Sequence, residues 1–121
     1  MWMLNGIEPE TINYKTMEAG YASYALRPEN IESAYYLYQY THDVKYLEMG
    51  KAMFDNLVKY CRTDAAYASL KDVRTMEKRD SMESFFFAET LKYAFLLFDE
   101  SGKLDFNKVI FNTEAHPYKR G

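Results

Sequence analysis

Apolar positions recur at helical spacing over three stretches of this chain. From Pro28 to about Tyr40, Ile31, Ala34, Tyr35, Leu37 and Tyr38 nearly encircle the axis, which predicts a helix buried on more than one side. Pro28 suits its first turn, where a missing N–H costs nothing. In the next stretch Tyr46, Leu47, Gly50, Met53, Phe54, Leu57, Val58 and Cys61 fall on one stripe at i, i+3, i+4 and i+7. Asp43 is the natural N-cap of that helix. The short link Thr41-His42-Asp43 predicts an antiparallel helical hairpin over 28–61. The third stretch, from about Met82 to Phe98, is apolar on almost every side, and Ser101-Gly102 ends it.

The remaining pattern is weaker. Residues 66–73 alternate loosely and read as a short β-hairpin or an extended loop. Thr75 to Ser81 is charged and reads as an exposed loop tip. Val109-Ile110-Phe111 is β-prone. Near the start, Thr11 to Met17 reads as a short helix and Gly20 as a break. A helix apolar all round must be covered on all sides, which one helical hairpin and some loops cannot do. The chain therefore reads as part of a larger helical barrel. No second copy of the helical pattern argues for a repeat array.

Composition narrows the class. The 121 residues suffice for one small domain, and 48% are apolar, so a packed core is available. The 12 tyrosines suit irregular helix packing or a wet cavity, since each offers a ring and a polar tip. Net charge is −3 with signs mixed, and without a basic stripe nucleic acid is not an expected partner. No run approaches the roughly 20 apolar residues that span a bilayer. Met1-Trp2-Met3-Leu4-Asn5-Gly6 lacks the charged and apolar regions of a signal peptide. The single cysteine, Cys61, offers neither an internal disulfide nor a cysteine metal site, and reads as a buried structural thiol.

Several residues carry chemistry. Glu29 and Glu32 lie about 60° apart around a helix axis, so they share a face. Carboxylates in a first turn stay ionised readily beside the helix dipole and can serve as a general base, although ordinary helices also begin this way. Phe85 and Glu89 stand one turn apart, a ring beside a carboxylate, as a sugar platform or as plain core. Thr113 can offer both hydroxyl and carbonyl oxygens to a hard cation, or cap a turn with Glu114. His116 has no second histidine or cysteine at metal spacing and reads as a turn residue.

Three stretches carry a resemblance: LRPENIES (26–33), MESFFFAETLKY (82–93) and FNTEAHP (111–117), with KDVRT (71–75) a softer hint. In this order and spacing they resemble the C-terminal part of the class I α-1,2-mannosidases, glycoside hydrolase family 47. That family includes N-glycan trimming enzymes and the ER-degradation-enhancing mannosidase-like proteins. The likeness runs from about Tyr24 to Pro117. It implies an all-α fold, the C-terminal part of an (α/α)7 barrel of antiparallel helical hairpins with a short β-hairpin and a closing C-terminal strand. Residues 1–121 would then be one segment of a single catalytic domain.

The resemblance also implies roles. Glu29 matches the family's proposed catalytic base, and Arg27 a sugar-contacting arginine. Phe85 matches the ring under the terminal mannose. Glu89 and Glu114 match substrate-binding carboxylates near the metal. Thr113 matches the direct Ca²⁺ ligand, with Glu32, Glu89 and Glu114 acting through water. The expected substrate is a high-mannose oligosaccharide or glycoprotein, and the expected partner the N-terminal remainder of the barrel. The expected place is the endoplasmic reticulum or Golgi lumen, or an exported position in a bacterium. The segment carrying the catalytic acid has no match here, so the 121 residues alone are expected to be inactive. The competing expectation is a catalytically incomplete mannose-binding or helical interaction module.

Overall fold

The computed structural model describes residues 5–121. Residues 1–4, part of the stretch read as lacking signal-peptide character, lie outside them. The chain forms two compact units: the described residues up to Arg27 with Ala52–Glu83, and Pro28–Lys51 with Ser84–Gly121.

In the first unit, β1 (Thr11–Asn13) pairs antiparallel with β2 (Glu18–Tyr21), with a bulge between Thr11 and Ile12. This replaces the helix expected over Thr11 to Met17. The Asn13 side chain accepts the backbone N–H groups of Lys15 and Thr16, at 3.0 and 3.3 Å, and Met17 takes a left-handed φ of 61°. An asparagine that satisfies its own turn competes with a helix. Gly20 does not break structure but lies within β2. A Cβ there would meet the Thr11 hydroxyl at 2.8 Å, the same hydroxyl that accepts the Tyr21 N–H at 2.7 Å.

A second hairpin joins β3 (Ser69–Asp72) to β4 (Glu77–Arg79), with the partners Ser69–Arg79, Leu70–Lys78 and Asp72–Glu77. The stretch read as a loop tip from Thr75 to Ser81 thus contains a strand, whose residues are all exposed and charged and show no alternation. The two hairpins share one turn. Asn13-Tyr14-Lys15-Thr16-Met17-Glu18 and Asp72-Val73-Arg74-Thr75-Met76-Glu77 repeat the pattern Asx-x-basic-Thr-Met-Glu. In each the Asx side chain accepts the N–H two residues on, the methionine N–H bonds to the Asx carbonyl, and the methionine φ is positive. Tyr24 bridges to Leu70 through both backbone bonds, and Ile7, Leu26, Leu57, Cys61 and Val73 fill the core. Burial pushes the Cys61 thiol up to about 12, as befits a structural cysteine.

The division between the units falls within α2 (Val44–Cys61), the element expected from the apolar stripe. Asp43 caps it by accepting the Lys45 N–H at 3.0 Å. In the second unit, α1 (Glu29–Thr41) ends at His42 in the left-handed region, φ 53°. A five-residue π turn, Phe86–Thr90, runs into α3 (Leu91–Phe98). Helices α1 and α3 pack on each other through Ile31, Ala34, Tyr35, Tyr93, Ala94 and Leu97. Gly50 of α2 lies against Leu97 and Ala34. The chain closes with β5 (Val109–Phe111) paired to β6 (Pro117–Lys119). The helix expected from Met82 starts later, at the π turn. Its far face is open, with Phe87 57% and Phe95 62% exposed. Among the described residues no helix is long and apolar enough to cross a membrane.

Candidate active site

The second unit brings three acidic segments together. Pro28 takes a helical φ of −86°, and its carbonyl accepts the Glu32 N–H at 2.8 Å, so the fixed proline ring starts α1. Glu29 is exposed at the first position. Glu32, one turn on, is half-buried and accepts a hydrogen bond from the Tyr93 hydroxyl at 3.1 Å. Both carboxylates sit where the helix dipole favours negative charge.

The second segment is the π turn. Its closing bond runs from the Leu91 N–H to the Phe86 carbonyl, five residues back. A wider turn of this kind is frequent at functional sites. Here it buries Phe86, Glu89 and Thr90 together, while Phe85 is half-buried and Glu83 precedes the helix. The carboxyl of Glu89 is held above the usual carboxylate range. Burial is the largest cause, followed by the negative charges of Glu114, Glu32 and Glu29; the Lys92 ammonium opposes them. Glu89 thus feels the other three acidic side chains.

The third segment is the turn between β5 and β6. Asn112 organises it: its side-chain oxygen accepts the N–H groups of Glu114 and His116, both at 2.9 Å. Ala115 is fully buried with a left-handed φ of 55°, and its carbonyl accepts a hydrogen bond from Lys92 Nζ at 2.8 Å. That contact ties the turn to α3. Thr113 and Glu114 are left exposed at the tip. His116 faces Asn112 at 3.5 Å, which gives it a place within the turn.

Glu29, Glu32, Glu89 and Glu114 therefore share one neighbourhood, and Thr113 adjoins Glu114. Arg27 belongs to the first unit, where its guanidinium pairs with Glu10. No three histidine, cysteine or acidic side chains among the described residues are placed to grip a metal directly. Glu89, the three carboxylates whose charge it feels, and Thr113 next to Glu114 in the chain offer oxygen donors only. That set fits a hard divalent cation held largely through water better than a closed protein cage. Three contributors went unread in the sequence: Asn112, Lys92 and Tyr93. Asn112 had a signal, since Asx residues two positions before a turn apex bond the backbone. Lys92 and Tyr93 stood inside the recognised helix and looked like ordinary helix residues.

Fold and site together define a helical segment with short hairpins and an acidic centre. The chain belongs to glycosyl hydrolase family 47, whose sequence profile matches residues 4–120. It is 45% identical over 105 residues to a mannosyl-oligosaccharide 1,2-alpha-mannosidase of Candida albicans, covering 78% of this chain and 19% of that protein. It is 51% identical over 98 residues to ER degradation-enhancing alpha-mannosidase-like protein 3 of Xenopus laevis, covering 79% of this chain and 11% of the relative. Among solved structures, the alpha-1,2-mannosidase from Trichoderma reesei matches with a TM-score of 0.76 and 38% identity, over 94% of this chain and 26% of that one. The fold is accordingly that of part of an α/α barrel, with short hairpins between helices. The chain spans 19% and 11% of the lengths of these two curated relatives.

Proposed function

We propose that this chain is the C-terminal part of a calcium-dependent, inverting α-1,2-mannosidase that removes terminal mannose from high-mannose N-glycans. The observation that carries the reading is the burial of Glu89 beside Glu114, Glu32 and Glu29. Such mutual repulsion is relieved by a divalent cation, which is the use an acidic centre of this family would have for it. The names of the relatives, mannosidases and mannosidase-like proteins, support the substrate class.

In this reading Glu29, exposed at the start of α1, takes the proton from the attacking water. Thr113 would offer hydroxyl and carbonyl oxygens to Ca²⁺, and Glu32, Glu89 and Glu114 would hold it through water. A bound calcium ion supplies Lewis-acid grip on adjacent sugar hydroxyls and favours a distorted ring. Phe85 would offer its face to the terminal mannose, and Glu89 and Glu114 would bond its hydroxyls. Inversion needs a general acid about 6.5–9.5 Å from the base. We assign that acid to the N-terminal part of the same catalytic domain, whose helices would cover Phe87, Phe95 and Phe98. For a eukaryotic source we place the full protein in the secretory-pathway lumen, a reading supported by the name of the ER degradation-enhancing relative, and for a bacterial source in an exported position.

The test is release of mannose from an α-1,2-linked mannobiose by the full-length polypeptide that carries this chain. Activity lost on chelation, restored by Ca²⁺ and abolished by Thr113→Ala is expected. Mannose release indifferent to both treatments would overturn the calcium assignment. Binding of high-mannose glycan with no release would favour the mannose-binding reading, in line with the likeness to the degradation-enhancing proteins.

A further inference from the structure

Tyr93 has no part in the roles assigned above, yet from α3, which continues the π turn, it contacts both α1 and β5, the other elements that carry the site. It lies on α3, four residues after Glu89. Its hydroxyl donates to Glu32 Oε1 on α1 at 3.1 Å. Its ring stands 5.7 and 6.1 Å, centroid to centroid, from Tyr35 and Tyr36 on α1. It stands 5.9 Å from Phe111 on β5, two residues before Thr113. The side chain is 1% exposed, so the ring has nowhere to swing.

Geometry gives that contact a consequence. A glutamate on a helix surface has three rotatable side-chain bonds and samples many positions. A ring caged by aromatic neighbours on two elements holds its hydroxyl at a fixed point. A carboxylate bonded there by one oxygen loses most of its freedom and keeps the other oxygen available. We propose that Tyr93 is a positioning residue that fixes the Glu32 carboxylate in the orientation needed to hold water on the bound cation. The same ring, pressed on Phe111, sets the distance from Glu32 to the Thr113 turn. The inference rests on the proposed calcium reading and adds to it a residue that touches neither metal nor sugar. The rival account is a core tyrosine whose hydroxyl simply found an acceptor.

Tyr93→Phe separates the two, because phenylalanine keeps every ring contact and removes only the hydroxyl. The experiment is calorimetric titration of Ca²⁺ into the full-length polypeptide, alongside thermal melts of the metal-free form. Ca²⁺ affinity is expected to fall on the order of 10-fold in Tyr93→Phe, the usual effect of losing a partner that orients a metal-site group. The melting temperature should barely move. In a Glu32→Gln background the same substitution should change affinity by less than about twofold, since the group it orients has already lost its charge. Unchanged affinity in Tyr93→Phe would overturn the inference, as would a loss that is additive with Glu32→Gln or that tracks a lowered melting temperature. If Thr113→Ala and Glu32→Gln themselves leave Ca²⁺ binding intact, the calcium reading fails; if they weaken it and Tyr93→Phe does not, only the role of Tyr93 fails.

Discussion

An acidic side chain buried beside three others binds its proton more tightly folded than unfolded. For Glu89 this opens a pH window between the ordinary carboxyl value and its own raised one. Within that window the folded chain holds a proton that the unfolded chain has released, so stability of the metal-free protein falls as pH rises and returns as pH falls. Glu89→Gln is therefore expected to raise the melting temperature in chelator at neutral pH, with a gain that fades at acid pH. Melts across pH decide it, and a gain that persists at acid pH would contradict the argument. For Glu29→Gln in the full-length protein we expect kcat to drop on the order of 10²–10⁴-fold, the usual worth of a general base. Steady-state kinetics on mannobiose read this, and a rate within a few-fold of the parent would remove Glu29 from that role. Cys61, with its thiol pushed up to about 12, should resist alkylation at pH 8 until the chain is unfolded, which mass spectrometry of iodoacetamide-treated protein can follow. Motif spacing singled out the four acidic residues that the fold brings near one another, and Thr113 next to one of them. It missed Lys92 and Tyr93 because their partners, Ala115 and Glu32, lie 23 and 61 positions away, and nothing local announces such a contact.

At the level of elements, the two long helices were legible almost to the residue, since an apolar period and caps such as Asp43 are local signals. The π turn was not: one wide hydrogen-bond ring changes no residue type, only which side of the helix is buried. Thr11 to Met17 was misread because its residues suit a helix until Asn13 is seen bonding its own turn. The matching hairpin at Asp72 carried the same signal, unread because its strand Glu77–Arg79 is all charge. Packing between elements shows most clearly at Gly50, where an added Cβ would sit 2.1 Å from Leu97 Cδ2. Leu97 is itself buried, so it cannot step aside. Gly50→Ala is expected to cost about 1–3 kcal/mol, typical of overpacking. Pairing it with Leu97→Val should return part of the loss in denaturant titrations, and full additivity of the two would show that they do not meet.

For the molecule as a whole, the outward face of α3 matters most. Phe87 and Phe95 are more than half exposed and Phe98 is 37% exposed. An exposed apolar stripe of this kind marks a surface meant to be covered. The isolated 121 residues are expected to self-associate at micromolar concentration and to leave mannobiose intact. Phe87→Glu with Phe95→Glu should reduce the self-association in light scattering, yet impair folding of the full-length polypeptide. A monodisperse parent chain would count against a missing cover. The paired turns at Asn13 and Asp72 bear on time rather than on energy. Each closes between neighbouring residues, and hairpins of this sort form within about 1–10 μs. The acidic centre needs residues from Glu29 through Glu114, contacts whose long loops make them slow to find. During synthesis the hairpins can be complete before the acidic centre is assembled, and a nascent chain halted before Thr113 would carry the turns without the cation binding proposed for that centre.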